Sequence, residues 1–199
     1  MASPLTVRRN DYRIRPKSST VYTPVGVAQF LFDVLQRPAF KTVLDPAIGS
    51  GRLTAPWHDS GHFVMGIDVE DAAPACDALC IGRFEDLSHV DVQPDLVLCN
   101  PPFNGAPGKQ LYPEVFLGHT FKLFGPAIPT VMFTPMVFRL NQRRKSKRWR
   151  WLRDCEARIT SIISLPLDTF PGVEFHAEIL IFNVDGIEPH YFLPEKALQ

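Results

Sequence analysis

Apolar residues in this chain come in short runs set between longer stretches of mixed character. The runs are Thr42 to Leu44, Phe63 to Ile67, Leu79 to Ile81, Leu96 to Cys99, Thr130 to Thr134, Ile159 to Leu165 and Ile179 to Phe182. Each has the length of a strand rather than of a helix. Near-continuous apolarity, in place of strict alternation, marks strands covered on both faces. Helix-length segments separate these runs, so the pattern predicts an α/β fold: a mostly parallel sheet of seven strands with helices on both faces. The last two runs are joined by a link with no room for a helix. That predicts a C-terminal antiparallel hairpin, with its final strand inserted into the sheet or lying on its edge. Ahead of the first run, Val27, Phe30, Leu31, Val34 and Leu35 recur at helical spacing. Thr23 is the expected cap of that helix and Pro24 its first residue.

With 199 residues the chain is long enough for one α/β domain with a full core and too short for two. The expected organisation is a basic N-terminal arm over residues 1–19 and one domain over 20–199, with no internal repeat. Twenty-one basic residues balance twenty-one acidic ones, so net charge names no partner. Their distribution changes that picture. The arm carries Arg8, Arg9, Arg13, Arg15 and Lys17 against Asp11, and residues 139–153 carry eight basic residues and no acidic one. Within the latter, Arg143, Arg144, Lys145, Lys147 and Arg148, with Trp149 and Trp151 among them, suit phosphate contacts and are candidate nucleic-acid ligands. A solvated helix face with a tryptophan packed on the sheet is the other reading. The four cysteines form no zinc pattern and read as reduced thiols, so no metal is expected. No secretory leader and no membrane-length apolar run is visible, which predicts a soluble, cytoplasmic protein without a membrane partner.

Pro46, Pro101, Pro135 and Pro166 each follow an apolar run, where a strand stops and the chain turns. Ligands of open α/β sheets bind beyond the carboxyl ends of the strands, so the chemistry belongs there. The first end reads Asp45-Pro46-Ala47-Ile48-Gly49-Ser50-Gly51. Its glycines let a cofactor approach the backbone, and the carboxylate of Asp45 repels a pyrophosphate but suits a cation. That favours S-adenosylmethionine over a dinucleotide. The second end closes on Asp68, placed to accept from ribose hydroxyls. Near the third, Glu85 or Asp86 is a candidate acceptor for the adenine amino group of a cofactor, with the choice between them open. The fourth reads Asn100-Pro101-Pro102-Phe103. Here the Asn100 side-chain oxygen and the Pro101 carbonyl can both accept from one amino group, and Phe103 offers a flat face for a base. Positioned acceptors of this kind aim a nitrogen lone pair without a strong base.

In order and spacing, these segments resemble the S-adenosylmethionine-dependent amino-methyltransferases that act on adenine N6 in DNA, and the modification subunits of type I restriction systems. The resemblance implies a Rossmann-like class I methyltransferase fold over roughly residues 20–183. Tyr22-Thr23-Pro24 is similar to the first motif of that family, which lies against the methionine part of the cofactor. Asp45, Pro46, Ala47, Gly49 and Gly51 match its glycine loop, Asp68 its ribose carboxylate, and Asn100 to Phe103 its catalytic tetrapeptide, with Asn100 also beside the cofactor. The segment from Ile163 to Pro171, followed by Ala177 to Phe182, is similar to its late hairpin. By that likeness Phe170 meets a flipped base on the face opposite Phe103. The chain stops soon after the hairpin, without the separate recognition domain of many relatives, so the expectation is either low specificity or specificity supplied by a second protein. Methylation of an RNA base or of a protein glutamine by the same chemistry, and a non-catalytic cofactor-binding subunit, are the competing readings.

Overall fold

The computed structural model describes residues 21–37, 39–103, 106, 110–140, 142–170 and 175–198. The basic arm expected over 1–19 lies outside them. Eight strands form one sheet: β1 (Thr42–Asp45), β2 (Phe63–Asp68), β3 (Ala78–Ile81), β4 (Leu96–Cys99), β5 (Thr130–Pro135), β6 (Ile159–Ser164), β7 (Ala177–Phe182) and β8 (His190–Phe192). Their order is β3-β2-β1-β4-β5-β7-β6-β8. Among the described residues only β7 runs against its neighbours, paired with β5 on one side and β6 on the other. The hairpin is therefore as expected, with its final strand inserted rather than on the edge.

The apolar runs of the sequence serve two cores at once. Val43, Leu96, Leu98, Val131 and Phe133 face one side with Val27, Leu31 and Trp57, from α1 (Val25–Leu35) and α2 (Ala55–Asp59). Leu44, Val97, Cys99 and Met132 face the other with Phe116 and Leu117 of α3 (Tyr112–Phe124), where Trp151 and Leu152 of α4 (Lys147–Asp154) also pack. Successive side chains of a strand point to opposite faces, so covering both faces requires runs without alternation.

Three details differ from expectation. The sheet has eight strands, not seven: β8, between Pro189 and Pro194, pairs in parallel with β6. Three residues are too few to show a period. Helices do not fill every link either, because residues 69–77 join β2 to β3 without one, and only a 3-10 turn, Phe84–Asp86, lies between β3 and β4. Finally, Pro24 rather than Thr23 precedes the first turn of α1, its carbonyl accepting from Val27 and Ala28 at 3.0 and 3.1 Å. The opposite end of the chain closes over this turn. A Cβ on Gly26 would lie 2.5 Å from the Ala197 carbonyl oxygen, so a missing side chain seats the 3-10 turn Glu195–Ala197 on α1. Among the described residues no helix is long and apolar enough to cross a membrane.

Candidate active site

The strand order reverses between β1 and β4, whose connections leave in opposite directions and open a crevice at their carboxyl ends. Asp45 closes β1, Asp68 closes the adjacent β2, and Asn100 follows β4 directly. Asp45 is 1% exposed and accepts from the Ala47 amide at 3.0 Å. Burial pushes its carboxyl up from 3.8 to about 7, offset in part by the Ala47 N–H and reinforced by the charge of Asp68. The loop that follows turns through Gly49 and Gly51, at φ +51° and +76°, values that favour glycine. Asp68 holds this loop: one oxygen accepts from Gly49 N at 2.8 Å, the other from Glu70 N at 3.2 Å. Each oxygen keeps a second lone pair for a ligand. Ser50, between the two glycines, has a buried hydroxyl with no hydrogen-bond partner among the described residues.

Above the loop lies Tyr22, 3.4 Å from where a Gly49 side chain would begin, with the Arg52 guanidinium 5.3 Å from its ring centre. The next residue, Thr23, is buried and accepts from the Asn100 Nδ2 at 3.1 Å. Residues 77 positions apart are thus joined in one site. The bond fixes the Asn100 amino group, and among the described residues its oxygen takes no donor.

No protein-family model and no curated protein matches the chain. Solved structures do. A Listeria monocytogenes protein assigned as a class I S-adenosylmethionine-dependent methyltransferase superposes with TM-score 0.63 at 18% identity, over 90% of this chain and 66% of its own. The modification subunit assigned to a type I restriction enzyme of Vibrio vulnificus gives 0.64 at 16%, over 85% and 45%. A Pyrococcus horikoshii protein assigned as an RNA methyltransferase gives 0.53 at 17%, over 79% of each chain. This is the class I methyltransferase fold. The chain spans 66% of the Listeria protein and less than half of the Vibrio subunit.

Within the methyltransferase fold the remaining candidates separate by environment. Glu85 and Asp86 sit on the 3-10 turn and both pair with Arg83, Asp86 at 3.7 Å and largely exposed. Among the described residues neither forms a side-chain hydrogen bond or ion pair with another candidate. Pro101 is buried and Pro102 exposed. Phe103 meets the ring of Phe175 edge-on, while Phe170 is 2% exposed and carries Phe175 stacked on it. Phe175, a half-buried residue missed by the sequence reading, therefore lies between the two expected base-contacting rings. Its signal was weak, since it stands alone between the hairpin strands.

The basic segment divides in the same way. Arg143, Arg144, Lys145 and Lys147 are exposed and form no ion pair among the described residues. Arg148 instead donates to Glu114 at 2.9 Å and to the Val137 carbonyl at 3.3 Å, and is largely buried. Arg139 donates twice to the buried Glu178, at 3.1 and 2.8 Å. Between them Gln142 reaches the Val137 carbonyl at 2.6 Å, and the Ser146 hydroxyl bonds Gln142 and caps α4 through Trp149 N. The exposed cations thus ride on a turn pinned from beneath. The crossover from β5 to β6 that contains this turn leaves the carboxyl end of the parallel strands, the end at which Asn100 follows β4. Gly66 is a further missed residue: a Cβ there would lie 2.5 Å from Ile48 Cδ1, so the glycine loop rests on it. Among the described residues no cluster of side chains suits a metal.

Proposed function

We propose that this protein transfers a methyl group from S-adenosylmethionine to an exocyclic amino nitrogen, and that N6 of adenine in DNA is its acceptor. The observation that carries the reading is Asn100, which donates to Thr23 while its amide oxygen has no donor among the described residues, at the end of the strand beside the loop of Asp45, Gly49 and Gly51. The residues present fit the cofactor. Among the described residues the Asp45 carboxyl accepts only from Ala47 N, which suits a cationic ligand, and the Ser50 hydroxyl has no partner, while Asp68 has lone pairs for ribose hydroxyls. Tyr22 and Thr23 would flank its methionine part, with Pro46, Ala47 and Pro24 lining the approach. When bound, the cofactor supplies an electrophilic methyl group on a positive sulfur.

The chain's own residues do the rest. The Asn100 oxygen and the Pro101 carbonyl would accept hydrogen bonds from the two N–H groups, which localises the nitrogen lone pair and aims it. As the N–C bond forms and the S–C bond breaks, the nitrogen releases one of those hydrogens as a proton. Pro101 and Pro102 hold the backbone stiff around those acceptors. Phe103 orients the base by its ring. Arg143, Arg144, Lys145 and Lys147 take phosphates of the strand that carries the base, and a duplex adenine must first leave its stack. Glu85 or Asp86 reaches the cofactor's adenine amino group only if its pairing with Arg83 yields. A specificity subunit is the proposed source of sequence selection.

The test is transfer of labelled methyl from S-adenosylmethionine to unmethylated duplex DNA, structured RNA and a protein extract, with analysis of the products. N6-methyladenine in DNA is the expected result. Label confined to RNA or protein would keep the chemistry and replace the substrate. Cofactor binding with no label anywhere, with or without a candidate partner, would sink the enzymatic reading.

A further inference from the structure

The ring of Phe175 packs against both Phe170 and Phe103, the last residue of the Asn100-Pro101-Pro102-Phe103 turn. Phe175 lies nearly parallel to Phe170, with ring centres 5.2 Å apart and 12° between planes. Phe103 meets the same ring at 4.9 Å and 88°. Phe133 backs Phe170 at 6.3 Å, so this lower wall belongs to the core and does not move without it. Phe175 is nearly parallel to Phe170 and nearly perpendicular to Phe103, so a base in its place would stack on Phe170 and meet Phe103 edge to face. The ring occupies a flat space whose floor is Phe170 and whose side is Phe103, the last residue of the Asn-Pro-Pro-Phe turn.

The backbone at this point is tied on both sides. Phe175 N donates to the Leu167 carbonyl at 3.3 Å, and the His176 carbonyl accepts from Met136 N at 3.0 Å. Rotation about the side-chain torsions of Phe175 leaves both of these hydrogen bonds intact.

We propose that Phe175 stands in the ligand-free protein where a planar heteroaromatic base lies in the complex, and rotates aside as the base enters. This rests on the acceptor site assigned above and narrows it. Displacing Phe175 forfeits one aromatic stack on Phe170, and only a flat ring restores it. Stacking of one base is worth on the order of ten- to a hundredfold in affinity. A glutamine side chain offers no ring and regains none of this, so the slot selects nucleobases over protein amides.

Binding of 2-aminopurine deoxyriboside to the full chain, read by quenching of its fluorescence, tests the proposal directly. Phe175→Ala removes the occupant and is expected to bind the nucleoside about tenfold more tightly than the unaltered protein. Phe175→Leu, which cannot stack but keeps apolar volume, should change in the same direction, and it decides the matter alone if the alanine variant does not fold. Weaker, unchanged or undetectable binding in a folded variant overturns the proposal. Methyl transfer is read separately. Tighter nucleoside binding in a protein that methylates nothing upholds the slot and removes the enzymatic reading. DNA methylation with an unchanged KM in both variants keeps that reading and removes the slot.

Discussion

Asn100 and Thr23 form a pair whose two members have separable effects. Replacing Asn100 by alanine removes the amino-group acceptor, and methyl transfer should fall by about a hundredfold or more. Cofactor affinity, measured by calorimetry, should stay within about threefold, because the glycine loop and Asp68 are untouched. Thr23→Val leaves Asn100 in place but frees its amide to turn, so the turnover rate should drop by about tenfold, with recovery in Thr23→Ser. An equal loss in the valine and serine variants would refute the orienting bond. Asp45 makes a different kind of prediction. Its carboxyl titrates near 7 in the fold and at 3.8 in the unfolded chain. Between those values the unfolded chain binds fewer protons, so the contribution of Asp45 to stability is full below about 4 and is lost as pH rises through about 7. Melting of the ligand-free protein should show that decline, and Asp45→Asn should flatten it. A cationic ligand favours the ionised carboxyl, so its affinity should rise with pH over the same window.

At the scale of single elements, the basic turn and the helix behind it are expected to respond in opposite ways. Alanine at Arg143, Arg144 and Lys145 together should weaken binding to DNA, and the slope of log affinity against log salt should shrink by about 2–3. Stability should barely change, because these side chains are exposed. Arg148→Ala reverses the pattern: it strands Glu114 beneath α4 and should cost about 1–3 kcal/mol of stability. Eight basic residues in one run look alike in a sequence. Glu114 and Glu178, which remove Arg148 and Arg139 from the surface, lie 34 and 39 residues from them, and no local pattern reports pairs that far apart. The glycine loop was legible because its requirement is local, a positive φ at Gly49 and Gly51. Gly66 was not, because what demands it is the side chain of Ile48 on another segment. Gly66→Ala should displace that loop, with about 1–3 kcal/mol lost and weaker cofactor binding, checked by melting and calorimetry on the same sample.

Across the whole molecule, the apolar runs foretold the sheet because each strand faces two cores and so carries no polar interruption. They also foretold the hairpin, since a short link forbids a crossover helix. They were silent about β8, held by pairing with β6, and about the links around β3, where loop contacts take the place of a helix. The site was legible in its parts, and the bond from Asn100 to Thr23 was not, because it joins elements that meet only once the sheet exists.

The central position of β7 has a consequence for how the chain is made. Translation delivers β5 and β6 before the strand that belongs between them. Until residues 177–182 emerge from the ribosome, the backbone of β5 lacks its partner on that side and, with the apolar side chains of Val131 and Phe133, is ready to pair with any neighbouring chain. Shortened forms that stop before Ala177 should therefore accumulate as aggregates rather than as smaller working proteins, and nascent chains pass through the same exposed state each time the protein is synthesised.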